Sequence, residues 1–101
     1  MSDATAGVTT HWRARPAHEF VSSQLGADYA VYHRPSGRTH FLNAAAADLL
    51  ERVLLQPRTA AAAAAELAAG EGAPGSAEFV AVVAESLSRL EYLGLIERCE
   101  P

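Results

Sequence analysis

Tyr29-Ala30-Val31-Tyr32-His33-Arg34-Pro35-Ser36-Gly37-Arg38-Thr39-His40-Phe41-Leu42-Asn43 is the stretch that decides the fold. It reads as two short strands joined by a tight turn and delivered straight into a helix. Arg34-Pro35-Ser36-Gly37 fits a type I turn. Pro35 presets φ at the first central position, and Gly37 accepts the left-handed conformation that follows. A three-residue loop closed by a glycine bulge is a common hairpin connection. It pairs Tyr32 with His40, Val31 with Phe41 and Ala30 with Leu42, whereas a shifted register would bring His33 opposite His40. Asn43 stands where a helix N-cap belongs, its side chain able to accept from an orphan backbone donor of the next turn.

Before this hairpin, Glu19 to Leu25 is the expected first strand, with Gly26-Ala27-Asp28 turning into Tyr29. The three strands make an antiparallel meander, and the strand beginning at Thr39 lies at an edge if spatial order follows the sequence. After it, Ala44 to Leu55 is expected as the first helix, with Ala46, Leu49, Leu50, Val53 and Leu54 on one side and Pro57 ending it. Thr59 caps a second helix, Ala60 to Ala69, closed by Gly70. Its run of six alanines favours helix but leaves Leu67 as its only bulky apolar anchor. Glu71-Gly72-Ala73-Pro74-Gly75 reads as a flexible connector. Ser76 caps a third helix, and Glu78 complements its positive end. Phe79, Val82, Val83, Leu87, Leu90 and Leu93 form its apolar stripe. Gly94 supplies a left-handed stop, Leu95 folds back on the last turn, and Leu95 to Glu97 adds a short extended piece. This inventory is α+β and winged-helix-like: a small three-stranded antiparallel sheet followed by three helices.

The 101 residues suffice for one small domain. Half are hydrophobic, but many of those are alanines, so the core rests on Leu, Val, Ile, Phe and Tyr. Residues 1–10 are small and polar without periodicity and are expected to be a disordered lead-in, leaving 11–101 as the domain. Trp12, the only tryptophan, is expected to fold back over one edge of the core. The net charge of −4 argues against a surface built to cover phosphates. Arg13, Arg15, Arg34 and Arg38 leave room for a local basic patch. Cys99 is the single cysteine and has no partner for an intramolecular disulfide. With no signal-peptide core and no apolar run of spanning length, the expected setting is the cytoplasm, away from any membrane.

The four histidines, His11, His18, His33 and His40, have no ligand partner at helical spacing, so neither a metal nor a cofactor is expected. There is no glycine-rich phosphate loop, nucleophile motif or paired-carboxylate pattern, so the chain is not expected to be an enzyme. Nor does the third helix suit DNA. It offers Ala77, Glu78, Ala81, Ala84, Glu85 and Ser88, with Arg89 its only cation, and an acidic face repels phosphate. What remains is peptide recognition by an exposed strand edge. The strand Thr39, His40, Phe41, Leu42, Asn43 supplies the edge and the third helix a wall. Beside the helix's core stripe lie Val80, Ala84 and Glu91 on one flank, and Val82 and Arg89 on the other. The expected peptide site joins the strand to Val80, Ala84, Leu87 and Glu91. A competing reading has the edge covered by the N-terminal arm or a second copy, so a homodimer stays open.

Trp12, Tyr29-Ala30-Val31-Tyr32-His33, Ser36-Gly37, Thr39-His40-Phe41-Leu42-Asn43, a Leu-rich helix, an Ala/Leu helix and Leu90-Glu91-Tyr92-Leu93-Gly94-Leu95-Ile96-Glu97 together form a pattern. It resembles the PqqD family, and more narrowly the PqqD-like proteins of HPr-rel-A gene systems, over nearly all of the chain after residue 11. The resemblance implies a RiPP recognition element. Such a non-catalytic peptide chaperone binds the leader of a ribosomally made precursor peptide by strand addition and presents it to a modifying enzyme. In that family the leader adds beside the third strand and packs on the third helix, here Thr39 to Asn43 and Ser76 to Leu93. Pqq-type relatives work with a radical S-adenosylmethionine enzyme; HPr-rel-A systems imply a kinase-like and a nucleotidyltransferase-like neighbour. The Ala-rich second helix departs from the family's pattern. The alternative, from another class, is a winged-helix DNA-binding transcription regulator.

Overall fold

The computed structural model describes residues 10–71 and 76–99, and in it the hairpin forms and runs directly into a helix. Its strands are β3 (Asp28–His33) and β4 (Arg38–Asn43), paired Val31 to His40, Tyr32 to Thr39 and His33 to Arg38. This register is one residue away from the expected one. The loop holds four residues, 34–37, because the Gly37 N–H reaches the His33 carbonyl at 2.9 Å and Ser36 Oγ accepts from the Arg38 N–H at 3.3 Å. Gly37 keeps the positive φ, 71°, that the turn was expected to need. A one-residue slip turns a strand over. His40 and Leu42 therefore share the inner face with Val31, and Phe41 stands on the outer face, 70% exposed.

β2 (Phe20–Leu25) pairs antiparallel with β3, so the sheet order is β2-β3-β4 and β4 is a lateral strand, as the meander implied. Val31 and Leu42 on its inner face are buried, with Phe20 and Tyr29 packed beside them. Val21, Leu25, Tyr32 and Phe41 are exposed.

The helices cover the inner face. α1 (Ala44–Glu51) begins one residue after β4 ends, and Asn43 Oδ1 accepts from the Ala46 N–H at 2.8 Å. It is shorter than expected. The backbone leaves the helical region at Arg52, and a 3-10 turn, Val53–Leu55, still buries Val53 and Leu54. α2 (Ala60–Glu71) is capped by Thr59, whose Oγ1 accepts from the Ala62 N–H at 3.1 Å, and it runs through Gly70 instead of stopping there. Ala63, Ala64, Leu67 and Ala68 are buried, so small side chains let α2 approach α3 closely. The connector expected at Glu71 to Gly75 lies outside the described residues except for Glu71, which ends α2.

α3 (Ala77–Tyr92) starts at Ser76, whose Oγ accepts from the Phe79 N–H at 3.0 Å. Val83, Leu87 and Leu90 are buried, while Phe79, Val80 and Leu93 pack partly against the core. Val82 is 61% exposed and falls outside the stripe that included it. Gly94, at φ 81°, ends the helix: its N–H bonds the Glu91 carbonyl, and the Leu95 N–H bonds the Leu90 carbonyl. Leu95 is fully buried by this fold-back, the arrangement its position after glycine implied.

The extended piece expected after Gly94 forms, shifted to Ile96–Cys99, and pairs with an N-terminal strand that the sequence did not reveal. β1 (His11–Ala14) pairs antiparallel with β5 (Ile96–Cys99), Trp12 opposite Arg98 and Ala14 opposite Ile96. Trp12 is buried and covers one edge of the core as expected. Its indole N–H donates to Glu91 Oε1 at 3.1 Å, and its backbone exchanges hydrogen bonds with Arg58 at 2.8 and 3.0 Å. The expected lead-in lies outside the described residues apart from Thr10.

Leu87 and Val82 separate the observed helix face from the expected one. Leu87→Ala empties a fully buried site and should cost roughly 2–5 kcal/mol. Val82→Ala should change stability by about 0.5 kcal/mol or less, as at other exposed positions. Chemical denaturation of both variants measures the difference.

Candidate functional site

The polarity of the β4 edge follows from one hydrogen bond on the far side of the sheet. The Arg34 N–H donates to the Glu19 carbonyl at 2.8 Å, continuing the β2–β3 ladder. In antiparallel pairing, successive residues turn their backbone groups to opposite sides. Arg34, Tyr32 and Ala30 thus address β2, while His33, Val31 and Tyr29 address β4. The partners of the latter are Arg38, His40 and Leu42, which turn their backbone groups toward β3, the Arg38 N–H being taken by Ser36 Oγ of the loop. Thr39 and Phe41, and Asn43 through its N–H, direct theirs away from the sheet.

Beside this edge lies a groove of about 280 Å³, lined by Phe41, Leu42, Asn43, Ala46, Ser86, Arg89 and Leu90. Strand and third helix therefore do face one another, and Phe41, Leu42 and Asn43 of the expected site line the space between them. Thr39 is exposed along the same edge, and His40 points to the inner face.

The helix wall is the other flank from the one assigned. Val80 packs against the core, Leu87 is fully buried, Ala84 is half-buried, and Glu91 is occupied by the indole of Trp12 and by Arg98 Nε at 3.0 Å. None of the four lines the groove. At 100° per residue, Val80, Ala84, Leu87 and Glu91 lie to one side of Leu90, and Val82, Ser86 and Arg89 lie to the other. Contact between α3 and the β1–β5 ribbon fixes which side is covered. The corrected wall is Ser86, Arg89 and Leu90, with exposed Val82 one turn before Ser86.

A second polar constellation also went unseen in the sequence. His33 Nε2 lies 2.9 Å from Glu19 Oε1, and His33 Nδ1 lies 3.2 Å from Ser36 Oγ. Both His33 and Glu19 are buried, and Arg15 grips Glu19 through Nε and Nη2. This order of hydroxyl, imidazole and carboxylate has the form of an activated nucleophile. Here the Ser36 hydroxyl also accepts from the Arg38 N–H and lies 3.4 Å from the His33 carbonyl. It closes the hairpin loop, and Ser36 lines none of the four described cavities. Glu19 is 14 residues from His33 in the chain, a separation that only strand pairing closes. Among the described residues no group of three His, Cys, Asp or Glu is placed to hold a metal ion.

Several groups are shifted in acidity. The Arg15 guanidinium, then His33, hold the Glu19 carboxyl below its usual range. Arg98 and the Trp12 indole do the same for Glu91, and Arg13 for Glu97. Burial pushes His40 down, reinforced by repulsion from His33 and Arg38, and its Nε2 has no hydrogen-bond partner.

No protein family, no curated protein and no solved structure matches the chain. What the groove can do therefore rests on its own geometry.

The edge polarity makes a direct prediction about proline, which lacks an N–H. His40→Pro removes a ladder bond and should destabilise the fold by roughly 2 kcal/mol or more. Phe41→Pro removes an outward donor and should cost about 1 kcal/mol or less. A larger loss in denaturation for Phe41→Pro than for His40→Pro would mean that the edge has the opposite polarity.

Acid should weaken the fold in two stages. Folded His40 resists protonation, so the unfolded chain binds more protons below its ordinary value of about 6.5, and stability falls as pH drops through that range. The lowered carboxylates stabilise above their ordinary values and lose that contribution as pH falls further. His40→Leu should flatten the first stage and leave the second, read as denaturation midpoint against pH.

Proposed function

We propose that this chain is a non-catalytic peptide-recognition domain that receives an extended peptide as an added strand along β4. The observation that carries the reading is the groove itself. A lateral strand presents outward backbone groups at Thr39, Phe41 and Asn43, and Ser86, Arg89 and Leu90 of α3 form a wall across from it. Backbone bonds then give affinity, and alternate side chains entering the groove give specificity. The exposure of Phe41 and Val82 leaves apolar surface free to be covered by such a strand.

The resemblance to PqqD-like proteins makes the peptide the leader of a ribosomally made precursor and the chain its presenter to a modifying enzyme. The cytoplasm is the proposed setting, with Cys99 unpaired. No helix among the described residues is long and apolar enough to cross a membrane. Against the DNA-binding alternative stand Glu78 and Glu85, which leave the exposed side of α3 acidic near its N-terminal half.

The test is a titration of the isotopically labelled chain with short peptides encoded beside its gene, followed by amide chemical shifts. One peptide should move Thr39 to Asn43 together with Val82, Ser86 and Arg89. Shifts confined to α2 or to the β1–β5 ribbon would refute the groove. Random duplex DNA should bind weakly at near-physiological salt, since few phosphates are neutralised. Tight, steeply salt-dependent DNA binding would favour the regulator.

A further inference from the structure

All eight cations of this chain are arginines, and their pairing is uneven. Arg13 and Arg15 bridge to Glu97 at 3.0 Å, and Arg15 also to Glu19 at 2.9 Å. Arg52 binds Asp48 at 2.7 Å, Arg58 approaches Glu66 at 3.8 Å, and Arg98 binds Glu91 at 3.0 Å. Among the described residues, the guanidinium groups of Arg34, Arg38 and Arg89 have no carboxylate. Glu85, four residues before Arg89, is at the spacing of a helix ion pair and makes none.

The unpaired cations are not scattered. Arg34 opens the hairpin loop, Arg38 is the first residue of β4, and Arg89 lines the groove opposite Phe41 to Asn43. The parity of β4 puts the Arg38 side chain on the same, inner face as His40 and Leu42, although Arg38 itself is exposed. Arg89 therefore stands where inner-face side chains of an added strand would arrive at the Leu42 end of β4, and Arg38 shares that face at the hairpin end, outside the groove lining. Between them lie His40, the largely buried Leu42 and Leu90, and half-buried Ala46, with Asn43 and Ser86 as the polar part of the lining.

We infer that the groove takes an acidic extended peptide. A carboxylate on the helix-facing side of the added strand is received by Arg89, an apolar neighbour of the same parity fills the space over Leu42 and Leu90, and Arg38 serves a second carboxylate toward the hairpin. The inference rests on the strand-addition reading above and adds the chemistry of the ligand. Guanidinium groups present a planar fork suited to carboxylates, and an edge strand supplies the register that holds one opposite them. The overall charge of −4 opposes such a peptide at long range, so selection arises at contact and not through steering.

The experiment pans a random peptide library displayed on phage against the full chain and against Arg89→Glu, Thr39→Pro and Phe41→Pro, with circular dichroism checking each fold. The wild-type chain should enrich peptides in which Asp or Glu alternates with apolar residues, and Arg89→Glu should turn that preference toward Lys and Arg. Resynthesised, the best acidic peptide should lose about five- to tenfold in affinity on Arg89→Gln. Enrichment without an acidic bias, or with one that Arg89→Glu leaves unchanged, overturns this inference. If the folded proline variants then lose the same peptides, strand addition itself survives. No enrichment, capture indifferent to both prolines, or displacement of the peptides by duplex DNA overturns both.

Discussion

One side-chain amide fixes the geometry on which the groove depends. Asn43 is at once the last residue of β4 and the N-cap of α1, its Oδ1 holding the Ala46 N–H. The chain changes from strand to helix with no linking residue, so α1 leaves the sheet at an angle set by local bonding. Ala47, Leu49 and Leu50 are then carried into the core, while Ala46 stays at the groove. A longer connection would have been free to fold back along β4 and cover its outward donors. The immediate cap carries the chain directly from β4 into α1, away from that edge.

The features legible in the sequence are those governed by a few neighbouring residues. Asn43, Thr59 and Ser76 read as caps and act as caps, and Gly94 with Leu95 closes α3 as its spacing implies. The sheet order was also readable, because short hairpins leave little choice of neighbour. Register was not. Ser36 looked like a generic turn residue, yet its hydroxyl holds the Arg38 N–H and sets the loop at four residues. Together with the Gly37 N–H on the His33 carbonyl, that contact goes with the register in which His40 and not Phe41 faces inward. Gly70 misled for the opposite reason, since packing of α2 on α3 carries the helix through a residue that usually ends one.

The groove wall was illegible for a longer-range cause. Both flanks of α3 offer small and apolar residues at helical spacing, so periodicity cannot rank them. The choice is made by Trp12, almost the whole chain away, whose indole N–H finds Glu91 and commits that flank to the β1–β5 ribbon. Strand β1 alternates, with Trp12 and Ala14 buried, but its four residues are too short a run to be read alone, and its hydrogen bonds come from the distant Arg58 and β5. The edge strand was thus readable from the sequence, and the helix facing it was readable only as a helix.

The same ribbon has a consequence for how the domain can be connected to others. His11 is paired directly with Cys99, so the first residue of β1 and the last of β5 are cross-strand neighbours. Domains whose first and last strands pair in this way tolerate insertion into a host loop, since entry and exit need only a narrow opening. Such a module can be spliced into, or tethered at either end of, a larger polypeptide without stretching its core. The groove is walled by β4 and α3 and takes no residue from the β1–β5 ribbon, so it would travel intact with the insert.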